Sequence, residues 1–538
     1  MISLLLASTM ALGMLVGCGS KKTDQKYVDN GEKVTLTIGV PQNANVTSYD
    51  DNAFTNYLEK EANVELEFVS FSSNSTEYTQ QLTLLVSGNE ELPDVLVGFW
   101  GMDSYTVREF GEDEYFLDLS DLIENNAPNY KNQLKNLTEE EQKRIKEKGK
   151  HPESGEIYGM PFYTVELTDN LQNLMYINKA WLNKLGLNAP STLEELNTVL
   201  TAFKTQDPNG NGKNDEIPIL AKAGNDRDIS TYIINAFVHY DSFNPYNVTD
   251  GKVWDPVSTD EYRQALIYAR ELCQKEYLSD MCYTLGATSE FKSLITPEDN
   301  VARVGIWCGH PSVWTNTDTE ILDEYTALMP LGDATGKGGY TVVRPNQLSY
   351  CSFITEDCEN PAAAMRFLDV FYKDETVTRM RHGEKDVDWK EGKGINSLGT
   401  ESHVQVINAN AFFSGNATWC MNVCGILTAD NYLTGGNAVS EREAEIGRLS
   451  TESWDEVVTK GKRPEAVVTE LVYNDEEYEV RSEYSTLYSD YVTSSRTKFI
   501  AGELDPSDDK EWNNYLTTLK SMGQDELLKV AQSAYDRK

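Results

Sequence analysis

The sequence predicts a two-lobed α/β protein. Three observations carry that prediction: the length, an N-terminal alternation of strand and helix patterns, and a second alternation that starts near residue 174. At 538 residues, the chain exceeds the roughly 250–300 residues at which a single core stops growing. Its 40% hydrophobic and 25% charged content is that of a globular protein.

The elements follow in chain order. Lys33 to Val40 alternates apolar and polar residues, as a half-buried strand does. Asp51 to Ala62 spaces Phe54, Tyr57 and Leu58 along one helix face, and Val64 to Phe68 returns to strand. A helix over Thr76 to Ser87 and a buried strand over Pro93 to Val97 complete the unit. Strand, helix, strand, helix, strand implies a parallel sheet with crossover helices. A second unit opens with a strand at Leu174 to Ile177 and a helix at Ala180 to Leu185. Ser191-Thr-Leu-Glu194 reads as a capping box for a helix running to about Lys204. Pro218 places the short strand Ile217 to Leu220 at a sheet edge or a strand start. Helices are also expected over Asp260 to Glu276, Pro361 to Tyr372, Asp508 to Met522 and Asp525 to Tyr535, the last two split at Gly523. Lobe one is expected to hold residues 34–165 with part of about 331–400. Lobe two is expected to hold 166–330 with much of 401–538.

The N-terminus has its own reading. Residues 1–17 carry no charge and stop at Cys18, which fits a secretory signal better than a membrane span of roughly 20 apolar residues. Leu15-Val16-Gly17-Cys18 looks like a bacterial lipobox, so Cys18 is the expected lipidation site and residues 18–33 a polar tether. Seven cysteines remain, at 273, 282, 308, 351, 358, 420 and 424. An odd number in an exported protein leaves at least one free thiol. A buried structural role is expected for Cys308, Cys420 and Cys424.

Charge and missing motifs narrow the function. A formal charge of −39 repels phosphate backbones and anionic lipid, which argues against nucleic acid as a partner. No Gly-x-Ser-x-Gly elbow and no His-Glu-x-x-His motif occurs, and the five histidines show no metal spacing. Gly332 to Gly338 lacks the spacing and the Ser/Thr of a phosphate loop, and reads as a turn.

One connection is rich in oxygen ligands. With Asp207 as position one, Asn209 falls at three, Asn211 at five, Gly212 at six, Lys213 at seven and Asp215 at nine. That is the first half of an EF-hand calcium loop, with a backbone carbonyl available at Lys213. Pro218 occupies position twelve, so Glu216 must supply the missing acid. An ordinary Asx-rich turn is the alternative. Lying between a helix and a strand, such a Ca2+ would be structural.

With these pieces assembled, the chain resembles extracellular solute-binding proteins of bacterial ABC transporters. More narrowly, it is similar to the family 1, carbohydrate-binding lipoproteins of Gram-positive bacteria, close to the LplA type. The resemblance rests on Leu92-Pro-Asp-Val95, Gly111 to Leu119, Gly155 to Pro161, Ile177 to Gly186, Asp207 to Pro218, Trp512 to Gly523 and Ala534-Tyr-Asp536. Gly383-Glu-Lys-Asp-Val-Asp-Trp389 follows the family pattern only in part. The resemblance implies a type II periplasmic-binding-protein fold, two lobes closing by a hinge over a sugar that is passed to permease subunits. It implies no catalysis, a monomer on the outer face of the cell membrane, and a structural calcium held by Asp207, Asn209, Asn211, the Lys213 carbonyl, Asp215 and Glu216.

A sugar needs flat aromatic platforms and hydrogen-bonding groups, placed on loops after strand carboxyl ends. Trp100, Tyr163, Trp307, Trp314 and Trp419 are the candidates by position. For each, the competing assignment is packing in the core. Asp226, Arg227 and Asp228 are candidate polar partners. A surface glycoside hydrolase or lyase, and a binding protein for peptides or other non-sugar solutes, are the alternative functions. Two carboxylates suffice for a glycosidase, and 86 acidic residues are present.

Overall fold

Val34–Pro41 (β1) buries Leu36, Ile38 and Val40, and its chain direction is repeated by Val64–Phe71 (β2) in unbroken parallel register. The helix between them, Ala53–Ala62, starts where the Asn52 side chain accepts from the Phe54 N–H. It stops at Asn63, whose left-handed φ of 51° turns the chain into β2. Val95–Val97 (β3) is buried throughout and lies parallel on the other side of β1. This is the predicted alternation. The protein is described from a computed structural model covering residues 27–537 apart from 166–170, 172, 223–228, 243, 310, 312–314, 409, 412–415, 421–422, 465 and 469–470.

After Met160–Thr164 (β4) the chain crosses to a second sheet. That sheet is built from Met175–Asn178 (β5), Ile217–Leu220 (β6) and, after the small hairpin Asn247–Thr249 (β7) and Lys252–Trp254 (β8), from Val304–Cys308 (β9) and Tyr325–Leu328 (β10). Its order is β10-β5-β9-β6, so the proline-containing β6 is indeed at an edge, where a missing N–H costs no ladder bond. The chain then returns as Gln347–Ile354 (β11), antiparallel between β3 and β4. A hairpin of Trp389–Ile395 (β12) and Glu401–Val406 (β13) follows. Gly425–Leu427 (β14) then pairs parallel to β4 and completes the first sheet, β14-β4-β11-β3-β1-β2.

The first sheet's cores take chain from Leu36 as far as Leu427, including Trp419, Val423 and Cys424. Only after helix Ala429–Thr434 does the chain pass to the second core, through helix Glu441–Lys460 with Ile446 and Val457. The transfer thus falls later than the neighbourhood of residue 400. Ala466–Val467 (β15) pairs with β7, and helices Asp475–Ala501, Asp509–Ser521 and Gln524–Asp536 also serve the second lobe. Gly523, at φ 90°, breaks the last two apart as predicted. The cap near residue 192 sits one residue later than expected. Thr192 accepts from the Glu195 N–H, and Glu195 reaches back to Ser191.

Strand direction locates the cleft. The chain leaves the first sheet at the carboxyl end of β4 and re-enters, antiparallel, at the start of β11 beside it. The second sheet does the same with β10 and β5. Both crossings, and the third after β14, therefore join the carboxyl edges of the two sheets. Loops on those edges face the hinge region, the usual ligand position in open α/β folds. Among the described residues no helix is long and apolar enough to cross a membrane. Cys18 lies outside the described residues.

Candidate functional site

The Asp207–Glu216 loop is wound tightly on its own side chains. Asp207 takes a left-handed φ of 47°, and its carboxylate accepts from the N–H groups of Gly210, Asn211 and Gly212 at 2.9–3.1 Å. Asn209 Oδ1 accepts from the Asn211 N–H at 3.0 Å, and Asn211 Oδ1 from the Lys213 N–H at 2.7 Å. Asp215 gathers donors: Nδ2 of Asn209 at 3.2 Å, Nδ2 of Asn211 at 2.9 Å and Nε of the Arg303 guanidinium at 3.1 Å. Burial works against its charge, but these hydrogen bonds outweigh it and hold the carboxyl below its usual range.

Glu216 is the exception. Both of its carboxylate oxygens are buried with no hydrogen bond of good geometry, and the side chain is nearly out of solvent. Burial, with the neighbouring charges of Asp207 and Asp215, pushes its carboxyl up, and the nearest backbone N–H groups, its own and that of Asn209, offset this only in part. An unpaired buried carboxylate is costly, and a dication at the loop's centre would remove the cost. Among the described residues no three His, Cys, Asp or Glu side chains form a metal-binding group. A cation here would draw on the Asn209 and Asn211 amide oxygens and the Lys213 carbonyl as well as on carboxylates, as calcium loops do. The residues present fit calcium.

The aromatic candidates separate into core and edge. Trp419 is fully buried. It stands edge-on to Tyr49, Phe54 and Phe68 within 5.7 Å and donates its Nε1–H to Thr55 Oγ1 at 2.9 Å. Trp307 is also fully buried, stacked on Tyr176 at 4.7 Å between β9 and β5. Both side chains fill sheet cores and cannot meet a sugar, which corrects their assignment as platforms. Tyr163 is buried as well, for a different reason. Its hydroxyl donates to Glu141 Oε1 at 2.7 Å and accepts from Asn346 Nδ2 at 2.8 Å, tying β4 to the second crossing. It is a hinge brace. Trp100 remains at the cleft edge: it follows β3 through Gly98 at φ 84°, is half-buried, and packs its ring 4.2 Å from Phe162. Trp314, Asp226, Arg227 and Asp228 lie outside the described residues. Among the described cysteines, Cys308 and Cys424 are buried, whereas Cys420 is only half-buried.

An open cavity of about 580 Å³ lies on the third crossing. Thr378, Trp389, Glu391, Lys393, His403, Asn431 and Thr434 line it. The segment before Trp389 is built for this position. Gly383 has φ 80°, and a Cβ there would meet Asp388 Oδ2 at 2.4 Å, so only glycine fits. Asp388, itself buried, accepts from the Glu384 N–H and from Asn408 Nδ2, both at 2.8 Å. Trp389 is then fixed by its Nε1–H, which donates to the Gly383 carbonyl at 3.2 Å. The hairpin is held to the crossing by Ala438 N–H to the Val404 carbonyl at 2.8 Å and Ser402 Oγ to the Gly436 carbonyl at 2.6 Å. Its turn reaches the second lobe's helix through Thr451 Oγ1 and the Leu398 carbonyl at 2.7 Å. A half-exposed indole beside carboxylate, ammonium, imidazole, amide and hydroxyl groups can receive a sugar's apolar face and its hydroxyls together. The sequence pointed to this segment only as an imperfect family pattern and did not single out Trp389 as a platform.

Comparison with known proteins agrees with this architecture. Residues 43–272 match the family model described as bacterial extracellular solute-binding protein. The fructooligosaccharide ABC transporter substrate-binding protein FusA of Streptococcus pneumoniae is 31% identical over 284 residues, 50% of this chain and 50% of the relative. The chain thus spans about half the length of that curated relative. A solute-binding protein described as HMO-binding and ABC-transporter-associated, from Bifidobacterium longum infantis, superposes with a TM-score of 0.70 at 18% identity, over 94% of this chain and 99% of that one. An EF-hand mutant of S. pneumoniae FusA in complex with fructo-nystose gives 0.67 at 21%, over 94% and 99%. The fold is the two-lobed fold of these solved binding proteins, and residues 43–272 resemble the bacterial extracellular solute-binding protein family.

Proposed function

We propose that this protein captures an oligosaccharide between its two lobes and delivers it to the membrane subunits of an ABC importer. The observation that carries the reading is the cavity on the third crossing, where the Trp389 ring meets polar groups of helix Asp374–His382, the β12–β13 hairpin and helix Ala429–Thr434. Binding needs no bond to be made or broken. The Trp389 face takes the sugar's C–H surface, and Glu391, Lys393, His403, Asn431 and Thr434 take its hydroxyls. Trp100, across β4 and β11 from that cavity, supplies a further platform. The chain is held to the outer face of the membrane by lipid on Cys18 and acts as a monomer. Calcium in the Asp207–Glu216 loop serves as a staple for the second lobe, with Asp207, Asn209, Asn211, the Lys213 carbonyl, Asp215 and Glu216 around it.

Melting-temperature shifts against a panel of neutral and acidic oligosaccharides test the reading. Ligand at 100 times its dissociation constant stabilises by about 2.7 kcal/mol. A panel in which every glycan is silent while a peptide library shifts the transition overturns it. Release of reducing ends from polysaccharide would instead make the protein an enzyme.

A further inference from the structure

We infer that helix Ser104–Glu112 of the first lobe and the start of helix Asp475–Ala501 of the second form a reversible clasp that holds the lobes closed without ligand. The inference rests on the two-lobed capture reading. The first helix is anchored in its own lobe by Val107 and Phe110, which pack with Phe99, Phe116 and Phe353. The second is anchored in the other lobe by Tyr488, Val492, Phe499 and Ile500. None of the three crossings passes through either helix, and the residues that meet are more than 360 positions apart in the chain.

The contact has two parts. The Arg108 guanidinium donates to the Tyr473 carbonyl at 2.6 Å and to Asp475 Oδ1 at 3.2 Å. Beside it, the Tyr105 and Tyr478 rings stack with centroids 3.8 Å apart and planes within 3°. Each partner is preset by its own lobe. Asp103 caps the first helix by accepting from the Tyr105 and Thr106 N–H groups. Asn474 and Glu477 form a capping box at the start of the second, and Arg537 holds Glu477 at 2.5 Å. The Arg108 side chain is 10% exposed although its acidic partner is 60% exposed, so the guanidinium lies in the seam and Asp475 at its rim.

Such a contact suits a clasp better than a permanent interface. One guanidinium and one ring pair change the closed-to-open ratio by about three- to tenfold each, enough to bias a hinge and too little to lock it. A sugar bound at the third crossing would then complete a closure already partly populated, which raises its apparent affinity by the closed fraction.

Small-angle X-ray scattering of the ligand-free full chain tests the clasp independently of which solute is bound. Tyr105→Ala and Arg108→Ala should raise the radius of gyration and deplete the compact population, and Tyr105→Phe should leave both as in the parent chain. Because Arg108 is nearly buried, Asp475→Ala and Tyr478→Ala remove its ion pair and the ring stack from the more exposed side, leaving only its bond to the Tyr473 carbonyl. Expansion in these second-lobe variants, with unchanged melting temperature, supports the clasp. Scattering curves that superpose on the parent in folded variants of both lobes overturn it, even if oligosaccharide binding is demonstrated. Failure of every glycan to bind, with expansion still seen, leaves the clasp standing and removes only its ligand.

Discussion

The Asp207–Glu216 loop and the cavity on the third crossing are built from the same kinds of polar residue in opposite ways. The loop keeps its ligands within ten consecutive positions, Asp207 to Glu216, and folds them around itself. The cavity collects Thr378, Trp389, His403 and Asn431 from a helix, two strands and a crossing. A site made of neighbours in the chain is specified by local spacing. A site made of distant segments exists only once the lobes have folded. The first should govern stability with little effect on the ligand, and the second the reverse.

The largest expected effect checks the correction made to the aromatic candidates. Trp307→Ala and Trp419→Ala should each destabilise by about 3–5 kcal/mol, because they empty a packed core. Denaturant melts that stay within error of the parent would return these rings to the cleft. Next, calcium removal with a chelator should lower the melting temperature. The lost stabilisation is about 2.7 kcal/mol if calcium is present at 100 times its dissociation constant, and Asp207→Ala should make the chain blind to calcium. A parent chain whose melting ignores both calcium and chelator would reduce the loop to an ordinary turn.

Trp389→Ala should weaken oligosaccharide binding by roughly thirtyfold, about 2 kcal/mol for an anchoring aromatic, and leave the melting transition in place. Loss of stability without loss of affinity would exchange the roles of the two regions. Glu216 gives a sharper contrast. Its folded carboxyl is pushed above its ordinary value, so without metal its ionisation lowers stability as pH rises through that range. Glu216→Gln should therefore stabilise the chelated protein by about 1 kcal/mol and destabilise the calcium-loaded one. The same sign in both conditions would exclude Glu216 as a ligand. The smallest effect is at His382, whose Nε2 lies 2.5 Å from the Gly435 carbonyl beside the cavity. Burial holds its imidazole down at about 4, against an ordinary 6.5. Its contribution is complete above pH 6.5 and is lost as pH falls towards 4. His382→Asn should flatten the acid limb of the melting temperature in that window.

Legibility in the sequence followed the distance between the residues involved. The opening strand-helix-strand series was readable because apolar Leu36, Ile38 and Val40 recur at every second position in β1, and buried Phe54, Tyr57 and Leu58 recur at helical spacing in helix Ala53–Ala62. Helix Asp475–Ala501 was not foreseen, since only its C-terminal half carries an apolar face, through Tyr488, Val492, Phe499 and Ile500, while its N-terminal half is polar on most sides. Trp100 is half-buried after a strand end, but the same reasoning pointed to Trp307 and Tyr163, which are buried. Position after a strand does not say on which side of the sheet edge a ring will fall.

The sequence by itself determined the α/β class, the parallel β2-β1-β3 part of the first sheet, the oxygen-rich loop and the family resemblance, because each depends on residues within a helix turn or a few strand positions of one another. Only the tertiary structure decided that Trp419 belongs to the core of β1 and its helix, that Tyr163 braces a hinge through Asn346, and that Trp389 opens into a cavity. Those roles depend on contacts between residues as far as 370 positions apart, as Tyr49 and Trp419 are, and no local pattern of period or spacing records which distant surface will cover a given side chain.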